Sequence, residues 1–67
     1  MFKVGDYVRS IDGQRNYVIV KGGQLLVDAR NLASGNVLTF HPEWVEPIPP
    51  HEVALIKLRE AASAGKD

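Results

Sequence analysis

Two short patterns, at opposite ends of residues 2–48, place the tightest limits on how this chain can fold. Residues 2–8 (FKVGDYV) predict a glycine–aspartate turn that leads into a strand. Residues 37–48 (VLTFHPEWVEPI) predict a strand, a tight proline-containing turn and a last short strand, with Pro47 confined to a strand end or a sheet edge. Together the two patterns favour a small closed β-barrel over residues 1–48.

Turn signals divide the segment between these patterns into short β-rich runs. Strands are predicted near residues 4–11, 17–20, 25–30, 37–40 and 45–48. Turns are predicted at residues 12–13, 22–23 and 33–36, and Gly13 would suit a turn because glycine accepts a positive φ. Five short strands at this spacing indicate a barrel or a sandwich.

Composition changes at residues 47–50 (PIPP), where the prolines stiffen the exit from the barrel and suit the first turn of a helix. Residues 52–64 contain strong helix formers and no glycine or proline, which predicts a C-terminal helix that stops at Gly65. We therefore expect a barrel in residues 1–48 and a proline-initiated helix and tail in residues 49–67.

The predicted helix carries an apolar stripe. The stripe consists of His51, Leu55, Leu58 and Ala62, with Val53 and Ile56 lying off it. A lone helix of this length is only marginally stable in water, so it needs the barrel, a second copy or a partner to pack on. Leu55 and Leu58 are therefore candidate contacts with the barrel, with a partner protein or in a homo-oligomer.

Charge and composition argue against several kinds of function. The 67-residue chain has 8 Lys and Arg against 8 Asp and Glu, so it lacks the basic excess typical of nucleic-acid binders. It has no cysteine, which excludes disulfides and thiolate zinc sites. No signal-peptide pattern and no apolar run of membrane-spanning length is visible, which predicts a cytoplasmic protein without membrane contact.

The polar residues do not form a pattern typical of catalysis. His41 and His51 have no recognised metal-ligand spacing to the carboxylates, and the serines lack the context of a nucleophile elbow. Residues 22–23 (GG) lack the lysine and Ser/Thr of a phosphate loop. We therefore predict no enzyme activity, no catalytic residue, no metal and no cofactor.

Residues 5–8 (GDYV) and residues 42–48 (PEWVEPI) resemble the Src-homology-3-like barrels, in which a GD-x-V strand comes early and a 3₁₀ turn precedes the final strand. The resemblance covers roughly residues 2–48. It implies an all-β, five-stranded Src-homology-3-like barrel, followed here by a C-terminal α-helix. It implies less about activity, because this architecture hosts many unrelated functions.

Two branches of this superfold bind macromolecules. Signalling domains bind Pro-rich peptides in an aromatic groove, and Trp44 lies near the place of a groove aromatic. The aromatic-rich early loop and the tryptophan pair of that branch are absent from this sequence. Small bacterial proteins of unknown role with a V-G-D-x-V start resemble the chain more, as do KOW-like modules, which contact RNA, DNA or protein.

The plasmid-borne type II dihydrofolate reductases are a third branch, built as tetramers of such barrels with a Val-Gln-Ile-Tyr stretch lining a shared pore. Residues 37–40 (VLTF) occupy a comparable place. Leu38 replaces the amide, and Phe40 replaces the hydroxyl, that contact the ligands in that family. The resemblance therefore implies the scaffold without its chemistry.

Partner recognition by the barrel is assigned to Tyr17, Arg30, His41 and Trp44. Aromatic side chains dominate both small cores and binding hot spots, so Tyr17, Phe40 and Trp44 could instead close the barrel. Arg30 beside Asp28 could instead be an exposed cross-strand pair that contributes little energy.

These observations predict a non-enzymatic protein-interaction module, a small cytoplasmic adaptor or regulator of bacterial or phage type. Its partner would be another protein, and the C-terminal helix would add a protein contact or form a homo-oligomer. The alternative is a nucleic-acid-associated accessory protein, KOW-like or Tudor-like, which the balanced charge does not favour.

Overall fold

The computed structural model describes the backbone of residues 2–64 and the side chains of residues 2–62. In chain order it contains β1 (Tyr7–Ser10), β2 (Asn16–Lys21), β3 (Val27–Asn31), β4 (Val37–Phe40), a 3₁₀ turn (Pro42–Trp44), β5 (Val45–Pro47) and α1 (Pro50–Ala64). The predicted number of strands, the turn before the last strand and the C-terminal helix are confirmed. The predicted helix stop at Gly65 lies outside the described residues.

The five strands form one antiparallel sheet in the order β4-β3-β2-β1-β5. Strands β1 to β4 pair with their neighbours in sequence, and β1 also pairs with β5. Strands β4 and β5 are therefore the two edges, and within residues 2–64 the sheet is not closed. The fold is a small α+β arrangement of a five-stranded antiparallel sheet and one helix, and the closed all-β barrel expected from the sequence is not confirmed.

The hydrophobic core lies on the inner face of the sheet. Val8, Ile19 and Val27 are fully buried there, because alternate residues of a strand point to the same face. Tyr17 belongs to the same cluster, and Phe40 packs against it. The rings of Tyr17 and Phe40 meet edge to face, with centroids 4.9 Å apart.

Helix α1 lies against the outer face of the sheet, over β1 and β2. Arg9 of β1 forms an ion pair with Glu52 at 2.6 Å, and the hydroxyl of Tyr7 donates a hydrogen bond to Glu60 at 2.8 Å. Val18 lies on this outer face opposite Tyr7, and is nevertheless only 9% exposed. We attribute its burial to the helix that covers it.

The helix does not turn the predicted stripe toward the sheet. Val53 and Ile56, which lie off that stripe, are half-buried. The stripe residues are all exposed: His51, Leu55, Leu58 and Ala62. The polar contacts of Glu52 and Glu60 set the rotation of the helix, and counting apolar spacings cannot anticipate them.

Three turns in the described part of the chain place a residue at positive φ, and the first contains Gly5, before β1, with φ 96°. Gly35, between β3 and β4, has φ 80°, and Gln14, between β1 and β2, has φ 52°. The predicted turn near Gly13 is confirmed, but Gln14 takes the positive φ in its place. The backbone N–H of Gln14 donates a hydrogen bond to the Ser10 carbonyl at 3.0 Å, which stabilises this turn.

Replacing Gly35 by alanine should lower the free energy of unfolding by about 1 kcal/mol, because a Cβ disfavours the left-handed backbone. The matched control is Gly13→Ala, whose added Cβ would meet the nearest atoms, Ser10 Oγ and Arg15 Cγ, at 3.7 and 3.9 Å. That variant should be neutral or slightly stabilised. Urea denaturation measures both, and equal losses would show that the left-handed φ of Gly35 is not the cause.

Candidate functional site

A depression with exposed aromatic surface lies between the β1–β2 turn and the 3₁₀ turn, and we call it the Trp44 groove. Its volume is about 570 Å³. It is lined by Ser10, Ile11, Asp12, Gly13, Arg15, Tyr17, Phe40, Glu43 and Trp44. The groove thus gathers the first hairpin turn and the last turn of the sheet, which are far apart in the sequence.

Backbone hydrogen bonds hold Trp44 in place. Its N–H donates to the His41 carbonyl at 2.9 Å, and its carbonyl accepts from the Ile11 N–H at 3.0 Å. Pro42 begins the 3₁₀ turn, because its fixed φ suits a first helical position. The backbone of Trp44 is therefore fixed from two sides, while its side chain remains 60% exposed.

The sequence assigned Tyr17, His41 and Trp44 to recognition, and the structure brings them to one region. Tyr17 is only 3% exposed, so it forms the floor of the groove as part of the core. The ring of His41 lies 5.4 Å from that of Trp44, tilted by 56°. Ile11, which was not among the residues expected to bind, is 56% exposed and also lines the groove.

Arg30 does not belong to this site. It pairs across the sheet with Val18, on the outer face, whereas Tyr17 points to the inner face. Its positive charge partly offsets the rise in the pKa of Tyr7, a residue that is also on the outer face. The sequence analysis placed Arg30 with the aromatics because residue type suggested binding, but strand alternation puts it on the other side of the sheet.

Charged groups border the apolar part of the groove. Asp12 and Glu43 each supply a carboxylate, and Arg15 supplies one cation. Asp12 precedes Gly13 in the turn, a position that the sequence analysis used only as a turn signal. The groove can therefore accept an apolar side chain and bring polar groups to its rim.

Leu55 and Leu58 lie on the solvent side of α1, with 54% and 66% of their surfaces exposed. They form an apolar surface separate from the Trp44 groove. A second depression, of about 610 Å³, lies between α1 and the β3–β4 turn, and its lining mixes polar and apolar side chains. Arg15 and Arg59 both contribute to its lining.

The contact between helix and sheet contains a tyrosine with altered acidity. Partial burial raises the pKa of Tyr7 above its usual value of 10.0, as do its hydrogen bond to Glu60 and the negative charge of that carboxylate. Arg30 acts in the opposite direction. Lys57 lies 5.7 Å from the centre of the Tyr7 ring.

The folded protein should lose stability at alkaline pH through Tyr7. Because its pKa is raised on folding, its contribution is intact below the unfolded pKa of about 10 and is lost as the pH rises through the folded pKa. Tyr7→Phe should be less stable by about 1 kcal/mol at neutral pH, the usual effect of losing one hydrogen bond. Its unfolding free energy should then fall less steeply than that of the wild type in alkali.

The measurement is urea unfolding across the alkaline range. Glu60→Gln is the matched variant, since it keeps an acceptor but removes the charge, and should move the Tyr7 pKa back toward its usual value. Identical alkaline slopes in wild type and Tyr7→Phe would contradict the assigned role of Tyr7.

In the part of the chain that the structure describes, no three His, Asp or Glu side chains are grouped to hold a metal ion. The same residues include no helix long and apolar enough to cross a membrane. Comparison with protein-family models, with curated proteins and with solved structures finds no match to this chain.

Proposed function

We propose that this protein is a non-enzymatic protein-interaction module, a small cytoplasmic adaptor or regulator of bacterial or phage type, whose partner binds in the Trp44 groove. The observation that carries this proposal is the exposed indole of Trp44 on a backbone that is hydrogen-bonded from two sides. A large aromatic on a rigid support loses little conformational freedom on binding. Tryptophan is also among the residues most enriched at binding hot spots.

A Src-homology-3-like barrel is the finer architecture that we propose. Two features support it: β1 lies between β2 and β5, and a 3₁₀ turn comes directly before β5. Both features correspond to what the resemblance at residues 5–8 and 42–48 implies. Val45 at the start of β5 belongs to the buried cluster, and Phe40 at the end of β4 packs against that cluster, so both edges contribute to one core.

The exposed stripe on α1 provides the second contact in this proposal, with the partner or with a second copy of the chain. Leu55 and Leu58 are separated by three positions and therefore lie on one helical face. The other side of the helix meets the sheet through Glu52 and Glu60, and Val53 and Ile56 are half-buried. The stripe thus remains free for another protein.

The double variant Leu55→Glu/Leu58→Glu should remain folded, because both side chains are exposed, and should lose the contact that the stripe makes. The matched control is Val53→Glu/Ile56→Glu, which places charges on the half-buried side and should detach the helix or destabilise the fold. Circular dichroism reports folding, and partner capture reports the contact. If the first pair unfolds the protein, the stripe is part of the core.

A nucleic-acid-associated role is the second candidate. Arg15 and Arg59 both line the depression beside α1, where they could contact phosphates, although Glu60 lies there too. Binding of this kind would weaken steeply with salt, because phosphate contacts release counterions.

Trp44→Ala should abolish partner binding with little loss of stability, since the indole is largely exposed. We expect an affinity loss of at least about tenfold, which corresponds to about 1.4 kcal/mol. The matched control is Leu25→Ala, which removes an 82% exposed apolar side chain from the β2–β3 loop, outside the groove. That variant should bind normally.

The experiment is a tagged pull-down from host lysate, with and without nuclease, followed by mass spectrometry. A stoichiometric protein that survives nuclease and is lost in Trp44→Ala would support the adaptor role. Capture that disappears with nuclease would favour the nucleic-acid role, and equal capture by Trp44→Ala and wild type would exclude the groove.

A further inference from the structure

The two edges of the sheet differ in how they are protected. Strand β5 (Val45–Pro47) is short and contains Glu46 and Pro47, a charge and a residue without an N–H. Strand β4 (Val37–Phe40) has no charge, no proline and an unbroken register with β3. Natural edge strands usually carry such protection against pairing with another chain, so β4 is an edge suited to pairing.

The side chains of β4 are correspondingly exposed. Val37 is 54% and Leu38 46% exposed, and Thr39 is also exposed. Leu38 lies opposite the buried Ala29 and therefore points to the inner face, yet nearly half of its surface remains exposed. An inward-facing leucine at an open edge is a surface that a further strand would bury.

We propose that two copies of this chain pair through β4, antiparallel, about a two-fold axis at Leu38, so that their sheets become one continuous sheet. This interface goes beyond the Trp44 groove and does not use the helical stripe. A self-complementary contact of this kind closes with two-fold symmetry.

The backbone determines which groups are free to pair. Asn31 donates to the carbonyl of Asn36 at 2.7 Å, so residues 36, 38 and 40 direct their backbone groups toward β3. Val37 and Thr39 then direct theirs outward. An axis at Leu38 sets Val37 of each copy opposite Thr39 of the other, which satisfies all four outward groups of each strand.

An axis at Thr39 fits less well. It would set Val37 opposite His41, whose carbonyl already accepts the Trp44 N–H. On the outer face it would also place the two Asp28 residues in one row, separated by the two Thr39 residues that pair at the axis. These like charges would lie three strand spacings, about 14 Å, apart, so they disfavour this register only weakly.

The axis at Leu38 instead aligns opposite charges. Asp28 lies beside Thr39, and Arg30 lies beside Val37, on the outer face of the same sheet. A row of residues across the interface therefore reads Asp28 and Thr39 of one copy, then Val37 and Arg30 of the other. The Cα atoms of Asp28 and Arg30 in such a row lie three strand spacings, or about 14 Å, apart. At that distance the attraction is weak, so the charges on β3 are compatible with this register and the backbone pairing is what selects it.

The two-fold axis would be perpendicular to the sheet, so both Trp44 grooves would open on the same side. If the groove binds the partner as proposed above, the dimer would be bivalent and would gain avidity for repeated or oligomeric partners. The pairing itself does not depend on that function.

Cysteine cross-linking tests the register, because the chain contains no cysteine of its own. Opposed Leu38 residues would form a non-hydrogen-bonded pair with Cα atoms about 4.5 Å apart, within the range of a disulfide. Leu38→Cys should therefore become a covalent dimer under mild oxidation. Val37→Cys is the matched control, since its two copies would lie about 7–8 Å apart on the diagonal and should remain uncross-linked.

Sedimentation of the full chain tests the edge itself. Thr39→Pro removes an outward N–H without removing a hydrogen bond to β3. We expect the wild-type chain to sediment as a dimer and the Thr39→Pro variant to sediment as a monomer. Thr39→Val is the matched control, because it loses the side-chain bond to Asp28 but keeps the N–H, and should remain dimeric.

Three results would overturn the proposal: a wild-type chain that is monomeric at high concentration, a folded Thr39→Pro that is still a dimer, or equal cross-linking of the two cysteine variants. A dimer lost only in Leu55→Glu/Leu58→Glu would assign self-association to the helix. If Thr39→Pro fails to fold, the cysteine pair decides. Partner capture by Trp44→Ala is measured separately, so failure of the groove and failure of the edge are distinguishable.

Discussion

Strand β1 is hydrogen-bonded on both of its edges, and the rest of the molecule depends on that position. Its pairing with β2 is local, but its pairing with β5 joins Val8 to Pro47, across most of the chain. The amide of Ile48 extends this contact by donating to the Tyr7 carbonyl at 3.1 Å. Because β5 follows the 3₁₀ turn directly, its pairing with β1 also sets Trp44 beside Ile11. The groove is therefore a consequence of one long-range strand pairing.

The two faces of the sheet are covered by different physical means. The inner face is apolar and buried, with Ile19 and Val27 at its centre. The outer face receives α1 through an ion pair and a tyrosine–carboxylate hydrogen bond, with limited apolar contact. Attaching the helix by its polar side leaves the leucine stripe in solvent. Within residues 2–62 the exposed apolar surfaces therefore include the groove, the stripe and the β4 edge.

Local signals in the sequence were sufficient to predict the elements but not all members of the site. Strand runs, turn glycines and the double proline depend on neighbouring residues, so the five strands and the helix could be anticipated. Trp44 could be selected because its turn pattern is local. Ile11 could not, since its position in the groove arises only where β1 meets β5. That Arg30 lies on the face opposite Tyr17 follows only from the pairing of β3 with β2.

The sequence by itself determined the number and order of the strands, the turn before the last strand and the extent of the helix within the described residues, since short-range propensity and turn chemistry control these. Only the tertiary structure decided which side of α1 meets the sheet, that β4 and β5 remain separate edges, and which side chains share the groove. These features depend on contacts between residues distant in the chain, such as Arg9 with Glu52 and Tyr7 with Glu60. The energy of each such contact depends on the distance and orientation of two side chains that only the folded chain brings together, so no local sequence pattern specifies it.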